Sequence, residues 1–245
     1  MSIYSRIVEK KAAGKKQFAV LVDPDKPDDK SIEKVARLGE KSGVDYFFVG
    51  GSLLTTDSLD HCINILKANS NIPVVLFPGN TLQMSGKADA FLYLSLISGR
   101  NAEMLIGRHV ISAPYLKLSS LEVISTGYML IDSGKPTTVS YMSNSSPIPA
   151  DKVDIAACTA MAGEMLGMKL IYMDAGSGAK NPVSAEMINM VRLHIEIPLI
   201  IGGGIKSAEK AVGNAKSGAD LIVVGNSIES DPQLIPEISE ALHAL

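Results

Sequence analysis

Apolar positions along the chain fall into two alternating patterns. Short continuous runs rich in β-branched and aromatic residues occupy 18–22 (FAVLV), 46–49 (YFFV), 73–77 (PVVLF), 90–94 (AFLYL), 170–173 (LIYM), 198–201 (PLII) and 221–224 (LIVV). A longer, less regular run covers 121–131 (LEVISTGYMLI). Continuous rather than alternating apolar character marks strands covered on both faces, as in a parallel sheet. Between these runs the period becomes helical. The stretch 30–42 puts Ile32, Val35, Ala36 and Leu38 on one face and stops before Gly43. The stretch 58–69 carries Cys62, Ile63, Ile65 and Leu66 behind a candidate Ser58 cap, and 151–166 aligns Val153, Ala156, Ala157, Ala160 and Met161. Segments 184–194, 207–217 and 231–245 each open on a Ser or Asp suited to accept a first-turn N–H. Eight strands in this arrangement predict an α/β fold, a single TIM-type (β/α)8 barrel domain over residues 1–245.

Two departures from a regular barrel stand out. Only about ten residues (PGNTLQMSGKA) separate the third strand from the fourth, fewer than a crossover helix with its two loops requires. The third helix is therefore expected to be missing or reduced to a loop, leaving a gap in the outer ring. The second departure is the polar Ser/Thr/Pro-rich segment 132–150 after the fifth strand, a long loop of the kind that is usually functional or disordered.

Composition narrows the function classes. A formal charge of -3 gives no basic field for nucleic acid, and 5% aromatic residues with no Trp argue against stacking on single strands. Two cysteines, Cys62 and Cys158, make no metal or disulfide framework. No apolar run approaches the ~20 residues of a membrane span, and the charged N-terminus does not read as a secretory signal, so a cytoplasmic location is expected.

In a barrel the active site lies at the carboxyl ends of the strands. Those ends carry Asp23-Pro24-Asp25-Lys26, Gly50-Gly51-Ser52, Pro78-Gly79-Asn80, Asp174-Ala175-Gly176-Ser177-Gly178, Gly202-Gly203-Gly204 and Gly225-Asn226. Glycine loops running into helix starts after the seventh and eighth strands suit a phosphate, because backbone N–H groups can approach it unhindered. They also suit tight turns. Asp23 and Ser52 offer hard oxygens for Mg²⁺, although Asp-Pro also makes a turn cap. Asp174 sits beside the glycines and can orient or deprotonate a hydroxyl. Tyr172, two residues earlier on the same strand side, can share one substrate hydroxyl with it, and Tyr128 is a second inward-facing tyrosine. Lys26 and Lys206 lie in site loops. The four histidines fall in helical segments without metal spacing.

The set LVDPDK, FVGGSLLT, VVLFPGN, YLSLISGRN, YMDAGSGAKNPV, IIGGGIKS and IVVGNSIE resembles the geranylgeranylglyceryl phosphate synthase family over about residues 16–230, most closely its second group. The resemblance implies a modified barrel lacking the third helix. It implies Mg²⁺-dependent transfer of a geranylgeranyl group from its diphosphate to the 3-hydroxyl of sn-glycerol 1-phosphate. Carried over residue by residue, it assigns Mg²⁺ to Asp23 and Ser52. It assigns glycerol phosphate to Tyr172, Met173, Asp174, Ala175, Gly176, Ser177, Gly178, Gly203, Gly204, Gly225 and Asn226, with Asp174 and Tyr172 catalytic. Where that family commonly has Glu, this chain has Asp174, one methylene shorter. A longer heptaprenyl donor, a phosphosugar isomerase or lyase, and a barrel that only binds phosphate are the competing readings. A homo-oligomer and transient membrane contact are also expected.

Overall fold

The computed structural model describes residues 1–81 and 83–245. Its eight strands are β1 (Gln17–Val22), β2 (Tyr46–Val49), β3 (Val74–Leu76), β4 (Ala90–Leu96), β5 (Glu122–Leu130), β6 (Leu170–Asp174), β7 (Leu199–Gly202) and β8 (Leu221–Val224). All neighbours pair in parallel, and β8 returns to β1 with Gln17 opposite Leu221, so the sheet closes into a barrel. The continuous apolar runs have the expected cause: every residue of β2, β3, β6, β7 and β8 is buried. Alternate residues serve two cores. Ala19, Tyr46, Phe48, Val75, Leu92, Ile124 and Ile200 fill the barrel, whereas Phe18, Val20, Phe47, Val74, Met173 and Ile201 pack outward against the helices.

Helices α2 (Asp29–Ser42), α3 (Leu59–Asn69), α6 (Val153–Met165), α7 (Ala185–His194), α8 (Ala208–Lys216) and α10 (Leu234–His243) occupy the segments read as helical. Ser184 and Ser207 accept the N–H groups of Met187 and Lys210 as caps. Two capping expectations fail. Ser58 makes no cap bond to α3, because its hydroxyl instead donates to Asp25. The last helix begins at Leu234, not at Asp231, which takes the N–H of Gln233 after a short α9 (Asn226–Ser230). Three further segments are helical: α1 (Ile3–Ala12), α5 (Thr138–Ser143), and α4 (Arg108–Leu118), which continues a π-helical turn over Glu103–Gly107. Helix α1 closes the amino end of the barrel with Ile3 and Ile7. Among the described residues between β3 and β4 there is no helix, in agreement with the short connection.

A repeated device fixes the amino ends of the strands. Asp45, Asp89 and Asp220, each just before or beside a strand start, accept the N–H of Phe18, Val74 and Leu199 on the preceding strand. Asp45 is the most enclosed. Its carboxylate also meets the Lys10 ammonium and His243 Nε2, the latter at 3.2 Å. Burial pushes the Asp45 carboxyl up, but these bonds outweigh it and hold the carboxyl below its ordinary value. Replacing the charge strands Lys10 and leaves a strand N–H with a weaker acceptor. Lys10 and His243 are each about a third exposed, so the loss is that of charge-assisted hydrogen bonds, and Asp45→Asn is expected to lower unfolding stability by roughly 2 kcal/mol. Urea titration at neutral pH measures it.

Candidate functional site

All strand carboxyl ends open onto one mouth, where two cavities lie side by side. The first, about 270 Å³, is lined by Asp23 and Lys26 after β1, Gly50 to Leu53 after β2, Tyr172 and Asp174 of β6, Gly176 to Ala179, Gly203 to Lys206, and Gly225 to Ser227. It therefore gathers residues from loops more than 200 positions apart in sequence, because closure places β8 beside β1. The second cavity is apolar. Phe77, Phe91, Tyr93, Leu94, Leu96, Met104, Tyr128, Val139 and Met142 line most of it. Gly51, Ser52, Phe77 and Val139 belong to both cavities, so the polar mouth continues into the apolar groove.

The glycine loops form the floor of the polar cavity. Gly203 has φ +82°, and a Cβ there would stand 2.5 Å from Asp174 Oδ1 and 2.7–2.8 Å from the N–H nitrogens of Ala175 and Gly176. A side chain at 203 would thus enter the space over the backbone donors, and its backbone conformation would be strained as well. Ser177 donates to Asn226 Oδ1 at 3.0 Å, tying the loop after β6 to that after β8. Lys206 lines the same cavity.

Asp174 is buried at the end of β6. Its Oδ2 accepts the Tyr128 hydroxyl at 2.7 Å and its Oδ1 accepts the Gly176 N–H at 2.7 Å. The tyrosine bonded to Asp174 comes from β5. Tyr128 lies opposite Tyr172 in the β5–β6 register, and its hydroxyl reaches two residues further up the neighbouring strand. Tyr172 instead stacks on Phe77, with ring centroids 5.0 Å apart, and walls the polar cavity. Burial raises the Asp174 carboxyl, and the bonds from Tyr128 and Gly176 counter this only in part. Burial, with the Asp174 charge nearby, also holds both tyrosines protonated well above the ordinary phenol range.

Asp23 stands on the opposite side of the mouth, 17% exposed, with Lys26 Nζ 3.1 Å from its Oδ2. Lys26 also reaches Glu229 at 3.4 Å. Asp23 Oδ1 accepts the Asp25 N–H at 3.2 Å, so the turn-cap role and a solvent-facing carboxylate coexist. Ser52 lines the cavity with it. Asp25, which the sequence did not single out, accepts from Thr55, Thr56 and Ser58 and binds the loop carrying Ser52 to the loop carrying Asp23.

Of the residues expected in the site, Asp23, Ser52, Tyr172, Asp174, Gly176, Ser177, Gly178, Gly203, Gly204, Gly225 and Asn226 line this one cavity. Met173 and Ala175 do not. Strand alternation turns Met173 toward the helices, and Ala175 packs in the same outer core. Sequence reading missed Thr138 and Val139 of α5, which overhang the mouth from the 132–150 segment, and gave Tyr128 no partner. The gap after β3 contributes to the groove only through 78–81; Gln83 to Lys87 do not line it, and Leu82 lies outside the described residues.

Among the described residues no three His, Cys, Asp or Glu side chains cluster in a way that could hold a metal ion. Asp23 and Ser52 are hard oxygen donors facing open cavity. That pair fits a Mg²⁺ ion that draws its other ligands from substrate oxygens and water, the usual habit of this ion.

Comparison with known proteins agrees with this geometry. The model of the PcrB family matches residues 8–242. A geranylgeranylglyceryl phosphate synthase of Chitinophaga pinensis is 58% identical over 99% of this chain and 96% of its own, and one of Pyrococcus horikoshii is 41% identical over 94% and 90%. The crystal structure of (S)-3-O-geranylgeranylglyceryl phosphate synthase from Thermoplasma acidophilum, in complex with its substrate sn-glycerol-1-phosphate, superposes with TM-score 0.94 at 30% identity over both whole chains. A tryptophan synthase alpha subunit from Legionella pneumophila, at TM-score 0.59 and 15% identity, shares the fold alone.

The Asp174 environment can be tested directly. Carboxyl ¹³C NMR titration should place Asp174 above the ordinary aspartate pKa. Tyr128→Phe removes a bond that favours the ionised form, so it should raise that pKa further. A fall, or no change, would contradict the assigned hydrogen bond.

Proposed function

Because the chain belongs to the PcrB family, we propose that it is a prenyltransferase that joins geranylgeranyl diphosphate to the 3-hydroxyl of sn-glycerol 1-phosphate, releasing diphosphate and forming geranylgeranylglyceryl phosphate. The observation that carries this reading is the shared wall at Gly51, Ser52, Phe77 and Val139, where a donor-lined polar cavity passes into an apolar groove. A phosphosugar isomerase would use the first cavity and have no task for the second.

The phosphate of glycerol phosphate sits on the backbone donors of Gly176 to Gly178, Gly203, Gly204 and Gly225, with the Ser177 hydroxyl and Asn226 beside it. That clamp presents the 3-hydroxyl to the buried Asp174 carboxylate, which orients it and accepts its proton as the new ether bond forms. The raised carboxyl pKa suits that task, since a carboxylate held by burial is a better base than an exposed one. Tyr128 keeps the carboxylate aimed into the mouth. The isoprenoid tail lies along Phe77, Phe91, Leu94, Leu96 and Met104, leaving its allylic diphosphate near Ser52 and Asp23. Asp23 and Ser52 would hold Mg²⁺ there, and the ion would neutralise the departing diphosphate. Lys26, paired with Asp23 and Glu229, lies beside the same position.

No helix among the described residues is long and apolar enough to cross a membrane. A cytoplasmic enzyme that touches a membrane transiently to exchange its isoprenoid substrate and product fits that reading, as does a homo-oligomer.

Incubation with radiolabelled sn-glycerol 1-phosphate, geranylgeranyl diphosphate and Mg²⁺ is expected to give a labelled, organic-extractable phosphate ether. No incorporation from any allylic diphosphate would overturn the reading. Gly203→Val should raise the KM for glycerol phosphate by more than tenfold while changing that for the prenyl donor little, because the new side chain crowds the donor floor and Asp174, both on the glycerol phosphate side of the mouth.

Asp23→Asn keeps the size but removes the charge that would hold the cation. If the ion stabilises the leaving group by about 3 kcal/mol, turnover falls on the order of 10²-fold, since each ~1.4 kcal/mol is a factor of ten. Glycerol phosphate affinity should stay close to wild type. Normal turnover with unchanged Mg²⁺ dependence would leave Asp23 as a turn residue only.

A further inference from the structure

Both oxygens of the Asp23 carboxylate are engaged. Oδ1 accepts the Asp25 N–H at 3.2 Å, and Lys26 Nζ stands 3.1 Å from Oδ2. The oxygen with most room for a metal ion is therefore the one that already carries an ammonium. A divalent ion and an ammonium on one oxygen repel each other, so the second cation can arrive only as the first withdraws. The same ammonium lies 3.4 Å from Glu229 Oε2. Asp23, Lys26 and Glu229 all line the polar cavity. Two carboxylates and one ammonium leave the group net negative, which favours a further cation once Oδ2 is clear.

The backbone beneath the three groups is tied down. The Lys26 N–H donates to the Asp23 carbonyl at 3.3 Å, so both residues belong to one turn. Glu229 lies on α9, which is anchored by the buried Ile228 and by the Ser227 hydroxyl donating to the Ile205 carbonyl at 2.8 Å. The Lys26 side chain is 44% exposed on a flexible four-carbon stem, and it can change partner without any backbone movement.

Given the Mg²⁺ position assigned to Asp23 and Ser52 in the proposed function, we infer that Glu229 is a positioning residue for that ion. It takes Lys26 from Asp23 as the ion arrives, so Oδ2 is released and the ammonium is not left unpaired beside it. Before that, Lys26 bridges the two carboxylates and holds Asp23 toward the cavity. Glu229 makes no contact with the ion. It differs from a further metal ligand, and from a general negative charge, in one respect: it acts through Lys26.

The test is Mn²⁺ binding to the full chain, followed by loss of the free-ion electron paramagnetic resonance signal. The wild type is expected to bind Mn²⁺, and Asp23→Asn to weaken that binding by about tenfold or more. Glu229→Gln leaves Lys26 with Asp23 alone, so Mn²⁺ affinity should fall by about tenfold. Lys26→Met clears Oδ2 and should tighten Mn²⁺ binding. In the Lys26→Met background, Glu229→Gln should cost about threefold or less, because nothing remains for Glu229 to withdraw. All these side chains reach solvent, so circular dichroism of the variants should stay native. A Glu229→Gln loss of equal size with and without Lys26→Met overturns the inference, since Glu229 then acts on the ion directly. Unchanged Mn²⁺ affinity in Glu229→Gln overturns it as well. Mn²⁺ binding that is absent, or that Asp23→Asn leaves intact, removes the metal from Asp23 and the inference with it. Asp23-dependent binding without the coupling to Lys26 sinks the inference alone.

Discussion

The pairing of β8 with β1 governs the rest of the molecule. Parallel strands in an open sheet would also put their carboxyl ends on one edge, but in a line. Closure bends that line into a ring, so the loop after β1 with Asp23 faces the loops after β6, β7 and β8 across a cavity a few side chains wide. The aspartates at the amino ends serve the same closure. Asp45, Asp89 and Asp220 satisfy strand N–H groups that the stagger of a closed sheet leaves without a carbonyl partner. The amino end thus carries the charged bonds that hold the ring, and the carboxyl end is left free for chemistry.

The ring is asymmetric at one place. Among the described residues between β3 and β4 no helix forms, and their backbone must find partners without one. Gln83 supplies them: its side-chain oxygen accepts the Gly79 N–H at 3.0 Å and its amide donates to the Gly51 carbonyl at 2.8 Å. Gly79 fits against Gly51 and Ser52 only because it has no side chain, since a Cβ would lie 2.3 Å from the Gly51 oxygen. The loop therefore stays thin. The apolar flank of β4 that a packed helix would cover remains open beside Phe77 and forms the groove with α4 on its other bank. One missing element thereby joins an apolar channel to a polar mouth.

How far this was legible in the sequence depends on the physics of each part. Strands buried on both faces write themselves as continuous apolar runs, and the short 78–88 connection has room for nothing but a loop, so the barrel and its gap could be read. Glycine loops after β6, β7 and β8 were equally plain, because glycine is favoured at the positive φ of Gly203 and leaves the space beside Asp174 open. Helix α4 escaped because both of its faces carry apolar residues and Pro114 interrupts it, which blurs the helical period. Helix α5 is six residues long inside a polar segment, too short for periodicity, and its only sequence mark is the Thr137 capping box. The Tyr128–Asp174 bond was out of reach for another reason. Alternation assigns a side but not a register, and the choice between Tyr128 and Tyr172 depends on the stagger between β5 and β6.

That stagger bears on the aspartate at position 174. A carboxylate on the shorter side chain stays close to its own backbone, and here it is met there: Gly176 N–H takes one oxygen and the Tyr128 hydroxyl the other, each at 2.7 Å. Each oxygen keeps a lone pair for a further donor. Lys26 is held away from it, engaged by Asp23 and Glu229 at the β1 and β8 side of the mouth. The Asp23–Lys26–Glu229 group therefore carries net negative charge on one side of the mouth, and a carboxylate with elevated proton affinity sits on the other. Were Lys26 beside Asp174, it would lower that carboxyl's pKa and weaken it as a base. The separation of Lys26 from Asp174 follows from which strand ends closure sets opposite one another.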